Sequence, residues 1–247
     1  METPESSQRG AGGKAAFEPT LWTMVLEAGQ TDEAGIAAFN RLAQVYWYPV
    51  YAFIRRSGRS HEDAQDLAQA FFLRLWENRA LAGVHPEKGR FRSFLLTALR
   101  NFLITEWHRA QAQCRGGEYQ FVSLDAEEDE TRFQGDASLA DPVQAYDRDV
   151  ALMVINGAMA SLAGEYSTAG RAPLFEALRP YLAGAVEEQS YETVAASLAM
   201  TTPAVKMASM RLRRRFAEAL RLEVAQLVFD RAEVETELRH LLAALCH

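Results

Sequence analysis

Between Gly116 and Asp149 the chain places ten acidic residues against only Arg132 and Arg148, a net charge of −8. A stretch so charged, broken by Gly135 and Pro142 and poor in apolar periodicity, cannot close a core of its own. It divides the 247 residues into two flanking parts that must each bury their own apolar surface. Both flanks contain basic segments: His85 to Arg115 nets +4 and Pro203 to Arg221 nets +5, within a chain whose total is −7. The overall sign argues against a surface that coats nucleic acid indiscriminately and shifts the weight to local patches.

The flanks read as helices. Asp32 can cap a long apolar helix through Phe39, Leu42 and Tyr46, interrupted near Pro49 and resuming through Phe53 and Ile54 to Gly58. Ser60 caps a second helix with an acidic first turn and Leu67, Phe71 and Leu75 on one stripe. After a loop at Gly83 to Gly89, a third helix runs from Phe91 to Arg109, with Phe91, Phe94, Leu95, Ala98 and Phe102 on its apolar side. Beyond the acidic stretch, Asp141-Pro142 opens a helix through Val150, Val154 and Leu162, and Pro173 opens another through Phe175, Leu178 and Leu182. No stretch alternates as a strand would, so the expected fold is all-α, two small helical domains joined by an acidic linker. The expected boundaries are a disordered 1–16, a first domain at 17–115, the linker at 116–140, a second domain at 141–221 and a helical extension at 222–247.

The second domain ends in a helix-turn-helix pattern. Val194, Ala195 and Leu198 recur at helical spacing, a break follows, and Thr202 with Pro203 supplies an N-cap and a first-turn proline. In the next helix Val205, Ala208, Leu212 and Phe216 share one face, which turns Pro203, Lys206, Met207, Met210, Arg213 and Arg214 outward. That outward face fits a major groove. A solvated amphipathic hairpin with a basic surface would share the pattern, so it needs context.

Other classes are excluded by what the residues lack. Five scattered histidines, no glycine-rich phosphate loop and carboxylates gathered in the linker leave no constellation for catalysis, so the chain reads as a non-enzyme without cofactor. Cys114 and Cys246 have no metal-ligand spacing, and no apolar run approaches the roughly 20 residues that span a bilayer. A cytoplasmic protein without a membrane segment is expected.

Three ordered segments, Asp63-Ala-Gln-Asp-Leu-Ala-Gln-Ala-Phe-Phe-Leu-Arg-Leu-Trp76, Phe91-Arg-Ser-Phe-Leu-Leu-Thr-Ala-Leu-Arg-Asn101 and Tyr191 to Phe216, resemble the bacterial sigma-70 family in its extracytoplasmic-function type. Arg115-Gly-Gly117, the Ser123-Leu-Asp-Ala-Glu run and the Leu-Arg-His-Leu-Leu tail look like a subgroup abundant in planctomycete-type bacteria. The resemblance implies that the first domain, sigma region 2, binds core RNA polymerase and the minus-ten element. It implies that the second, region 4, reads the minus-thirty-five element of promoter DNA. A monomer is expected, with an anti-sigma factor or a Ser/Thr kinase as a regulatory partner. The rival is a helix-turn-helix regulator that binds promoters without acting as an initiation factor.

On the docking helix, which in the family meets the clamp helices of the polymerase's largest subunit, the resemblance points to Glu62, Asp63 and Asp66, with Gln69 adding a hydrogen bond. It also leads one to expect a carboxylate at position 70, where this chain has Ala70. Phosphorylation at position 68, where some relatives carry Thr, is excluded by Ala68, leaving Ser60 as a weak substitute. For the minus-ten strand, stacking faces, polar groups and cations are needed. Asn101 is the candidate for a base edge or backbone, Arg92, Arg100 and Arg109 for phosphates, and Trp107, Gln111 and Arg115 for the neighbourhood of the bases. Trp107 could equally pack against the first helix. For the minus-thirty-five duplex the candidates are Lys206, Met210, Arg213 and Arg214, with Thr202 at the helix N-terminus suited to a phosphate. Arg211 and Arg215 lie toward the flanks. Ala199 stands where a glycine often ends the first helix of the motif, which strains the turn or means that it avoids a left-handed conformation. The acidic linker reads either as a segment threading the polymerase's basic channel or as a solvated tether. The leucines of the extension favour packing over recruitment of a partner.

Overall fold

In the computed structural model the described residues are 21–30, 32–84, 90–112, 130–133, 141–182 and 191–246. They are helical, with no strand among them. The segment 1–16, most of the linker and Arg115 lie outside the described residues, so the expectations placed there are untouched.

The first part is built on α1 (Leu21–Ala28), α2 (Glu33–Arg56), α3 (His61–Glu77) and α4 (Phe91–Ala112). Asp32 and Ser60 cap α2 and α3 as their side chains suggest, accepting from the backbone N–H of Gly35 at 2.8 Å and of Asp63 at 3.1 Å. Gly35 has no room for a side chain: a Cβ there would stand 2.4 Å from the carbonyl oxygen of Gln30, where α1 turns into α2. The expected interruption at Pro49 does not occur, because α2 runs unbroken through it. Pro49 is buried among Tyr48, Val50 and Tyr51, so packing on both sides holds the turn that a proline would break in isolation. Helix α1, with only eight residues, is not among the expected helices, yet Met24, Val25 and Ala28 enter the core. Phe91, Leu95, Leu99 and Phe102 bury the inner side of α4, with Phe94 and Ala98 partly covered.

The second part comprises α5 (Pro142–Thr168), α6 (Ala172–Leu178), α7 (Tyr191–Ser197), α8 (Thr202–Leu227) and α9 (Val234–Ala243). Asp141 caps α5 by accepting from the N–H of Val143 at 2.9 Å. Helix α6 stops at Leu178 and a 3-10 turn at Arg179–Leu182 follows, which accommodates Pro180. Helices α5 and α8 pack along their length, where Gly157 lets the Glu223 carboxylate approach. The cap of α8 is Thr201 rather than Thr202: its hydroxyl accepts from Ala204 N–H at 3.4 Å, and Thr202 is the first helical residue. Helix α8 also runs past the expected boundary at 221–222, and the extension begins inside it. A 3-10 turn at Arg231–Glu233 then reverses the chain into α9, whose Val234, Leu238 and Leu241 are buried as the leucine spacing suggests.

The two parts touch. Helix α2 packs on α5, α9 on α5 and α8, and α1 on α8. The contact is ionic as well as apolar. Arg56 meets Asp149 at 2.5 Å with the side chains 3 % and 0 % exposed, and the Tyr146 ring stands edge-on to Phe53. The acidic stretch contributes Glu130, which accepts from the Tyr51 hydroxyl at 2.5 Å and from Arg55 at 2.8 Å, and Phe133, whose ring lies beneath both Arg55 and Arg56. At 130–133, therefore, the segment is a docked helical turn rather than a tether. Burial, then Glu130, push the Tyr51 phenol well above its usual range, so it stays a donor.

Candidate nucleic-acid interface

The outer face of α3 carries Glu62, Asp63 and Asp66, all exposed, and Gln69, half-buried. At 100° per residue the same arc includes Ala70, Leu73 and Glu77. Leu73 is 49 % exposed, a large apolar side chain in the middle of an acidic face. Leu73 and Glu77 were not among the expected contacts, although the three- and four-residue steps from Asp66 and Gln69 lead to them. Ala70 is exposed on this arc and Ala68 is buried. Ser60 Oγ is occupied as the cap of α3.

On α4 the expected contacts separate into three groups. Arg100, Asn101 and Trp107 lie on one exposed arc together with Thr97, Ile104 and His108. Ile104 is 56 % and Trp107 49 % exposed, and the Trp107 ring stands 4.9 Å from that of His108, edge to face. This placement favours an open platform for Trp107 over packing on the first helix. Gln111 continues the same helix, its side chain outside the described residues. Arg109 points half a turn away from Arg100 and pairs with Glu106 at 2.9 Å, while Glu106 also faces Arg74. Arg92 is 7 % exposed: its guanidinium is held by Asp147 of α5 and by Glu237 of α9 at 2.6 Å. Burial opposes its charge, but the hydrogen bond and charge of Glu237, joined by Asp147, outweigh it and raise the affinity for the proton above the ordinary arginine value. The expectation of a phosphate contact at Arg92 is corrected for this arrangement, because neighbouring carboxylates occupy the groups a phosphate would use. A pocket of about 180 Å³ opens between α3 and α4, floored by Phe71 and Phe102 and rimmed by Asn101, Asn78, Thr105 and Arg74.

In the helix-turn-helix, Lys206, Met207, Met210, Arg213 and Arg214 are exposed on one face of α8, while Val205, Ser209 and Leu212 are buried on the other. Arg213 also donates to the carbonyl of Tyr181 at 3.1 Å, and Arg214 is 81 % exposed beside Glu218. Lys206 Nζ stands 5.7 Å from the Tyr191 ring centre, which orients it along the outer face. Arg211 and Arg215 are both exposed, and Arg215 pairs with Glu165 of α5 at the surface. The turn resolves the alternative at Ala199: its φ is +51°, with Met200 N–H on the Ala195 carbonyl and Ala199 N–H on that of Ala196. This is a Schellman ending adopted without glycine, so the left-handed strain is present. Among the described residues no group of His, Cys, Asp and Glu is placed to hold a metal ion, and no helix is long and apolar enough to cross a membrane.

No curated protein and no solved structure matches the chain. Residues 44–113, from the middle of α2 to the end of α4, match the family model Sigma-70 region 2. That span contains both the acidic face of α3 and the Arg100, Asn101 and Trp107 face of α4.

Proposed function

We propose that the chain is an RNA polymerase sigma factor of the extracytoplasmic-function type, in a planctomycete-like subgroup, acting as a cytoplasmic monomer without cofactor. The observation that carries this reading is the coincidence of the region 2 match with two differently charged exposed faces, acidic on α3 and polar, basic and aromatic on α4. The α3 face, Glu62, Asp63, Asp66 and Gln69, docks on the clamp helices of core RNA polymerase, with Leu73 burying apolar area at its centre. The α4 face holds the melted minus-ten strand. There Arg100 takes a phosphate, Asn101 addresses a base edge at the rim of the α3–α4 pocket, and Trp107 offers a stacking surface.

The α7–α8 pair reads the minus-thirty-five duplex with Lys206, Met210 and Arg214 outward and the Thr201–Thr202 end of α8 toward a phosphate. Regulation by an anti-sigma factor or a Ser/Thr kinase is part of the proposal.

Co-elution of the chain with core polymerase on a sizing column, followed by initiation from a pre-melted bubble template, tests it. A sigma factor co-elutes and stimulates initiation. A chain that binds duplex DNA but leaves core-dependent initiation unchanged is a helix-turn-helix regulator. Because Ala70 leaves the docking face short of one charge, Ala70→Glu is expected to tighten core binding about fivefold in a competition assay. Unchanged or weaker binding removes position 70 from the interface.

A further inference from the structure

We propose, on the reading of α7–α8 as a duplex reader, that Met207 and Met210 recognise the C5-methyl groups of thymines in the major groove, so that the centre of α8 selects its site by apolar contact rather than by hydrogen bonds. The two side chains are 50 % and 64 % exposed, whereas Val205 and Leu212 in the same turns are buried. At 100° per residue, Pro203, Met207 and Met210 fall on the line opposite Val205, Ser209 and Leu212, which is the middle of the outward face. Cations flank that line on both sides, with Lys206 and Arg213 along one edge and Arg211 along the other. Lys206 lies over the Tyr191 ring and Arg213 donates to the Tyr181 carbonyl, so both are drawn toward their edge and away from the middle.

An apolar centre between cationic edges matches the section of a major groove, whose floor is made of base edges and whose walls are the two phosphate strands. The first turns of a recognition helix are the ones that meet base edges. In those turns of α8 the middle line offers no donor: proline and methionine side chains have none, and a thioether is only a weak acceptor. Such a line cannot hold the edge of a guanine or an adenine. The apolar group that a base pair presents in the major groove is the thymine methyl. Met207 and Met210 stand about 4.5 Å apart along the helix axis, against roughly 3.4 Å per base-pair step, so together they cover neighbouring base pairs. Unbranched and flexible, each can follow a methyl on either strand. The first hydrogen-bonding side chain on the line is Arg214, one turn beyond Met210 and paired with Glu218 at 3.1 Å.

The test uses the full chain with core polymerase and a pool of duplexes whose upstream element is randomised. The duplexes retained are expected to share thymines at neighbouring base pairs of that element. Replacing either thymine by deoxyuridine, which removes the methyl and leaves the hydrogen-bonding groups in place, is expected to weaken binding about fourfold. Met207→Ala, at an exposed helical position that tolerates alanine, is expected to cost about as much on the thymine duplex. The two losses are expected not to add when the variant meets the deoxyuridine duplex, because each removes the same contact. Equal binding of the thymine and deoxyuridine duplexes overturns the proposal. So does a Met207→Ala loss of the same size on both duplexes, which would make the side chain a contact to polymerase. No enrichment over core polymerase alone sinks the reading of α7–α8 and this proposal with it, whereas enrichment without dependence on the methyl sinks the proposal alone.

Discussion

Arg92 and Arg214 both sit in basic runs on helices whose outer faces carry exposed polar and cationic side chains, yet one is 7 % exposed between two carboxylates and the other 81 % exposed beside a single surface glutamate. The same division holds for their neighbours. Arg55, Arg56, Arg90 and Arg92 are drawn into contacts with Glu130, Asp149, Glu237 and Asp147, whereas Lys206 and Arg214 stay at the surface of α8. The first set holds the molecule together and the second is available to phosphates. A run of positive charge in a sequence does not distinguish the two, since what decides is whether an acidic partner is brought within reach by folding.

The two sets of arginines would be equivalent if the buried one proved dispensable. Arg56→Ala removes the ion pair of the fully buried Asp149 and is expected to cost about 3–5 kcal/mol in urea denaturation. Arg214→Ala should cost less than about 0.5 kcal/mol in the same experiment. Equal losses would erase the distinction between interlock and surface. Next in size is Trp107→Ala. It is expected to weaken binding of a melted minus-ten strand by about 1–3 kcal/mol while leaving the melting temperature nearly unchanged. A fall in melting temperature with unaltered strand binding would make Trp107 a packing residue. On the duplex side, Lys206→Ala and Arg214→Ala should each lower the salt dependence of binding by about one unit of slope. An unchanged slope would leave them as solvated charges. The smallest effect is expected at the turn between α7 and α8, where Ala199→Gly relieves a φ of +51° and should raise stability by about 1 kcal/mol. A loss there would mean that the alanine methyl contributes packing that outweighs the strain.

How far the chain could be read before its structure follows from the range of the forces involved. The capping side chains Asp32, Ser60 and Asp141, the buried stripe of α4 and the outward face of α8 are set within one or two helical turns, and all were legible. Pro49 misled because a local rule was overridden by burial of the whole α2 turn in the core. Thr201 and Thr202 differ by one position that no periodicity could settle. Helix α1 spans only eight residues, too short a run for periodicity to mark, so its contact with α2 reveals it. The candidate site divided along the same line. Arg100, Asn101 and Trp107 fall on one exposed arc as helical geometry dictates, while the removal of Arg92 depends on Asp147 and Glu237, 55 and 145 residues away. The acidic stretch was legible as a charge block, but its pairing with the arginines of α2 and α4 was not.

Under the proposed function the chain directs core polymerase to promoters through two faces on α4 and α8. Transcribing genomic DNA from the chain's own source with core polymerase, with and without the protein, and mapping the 5′ ends of the RNA tests this. The expected result is a new set of start sites preceded by two shared sequence elements at constant spacing, lost with Lys206→Ala and Arg214→Ala combined. Start sites identical to those of core polymerase alone would contradict it.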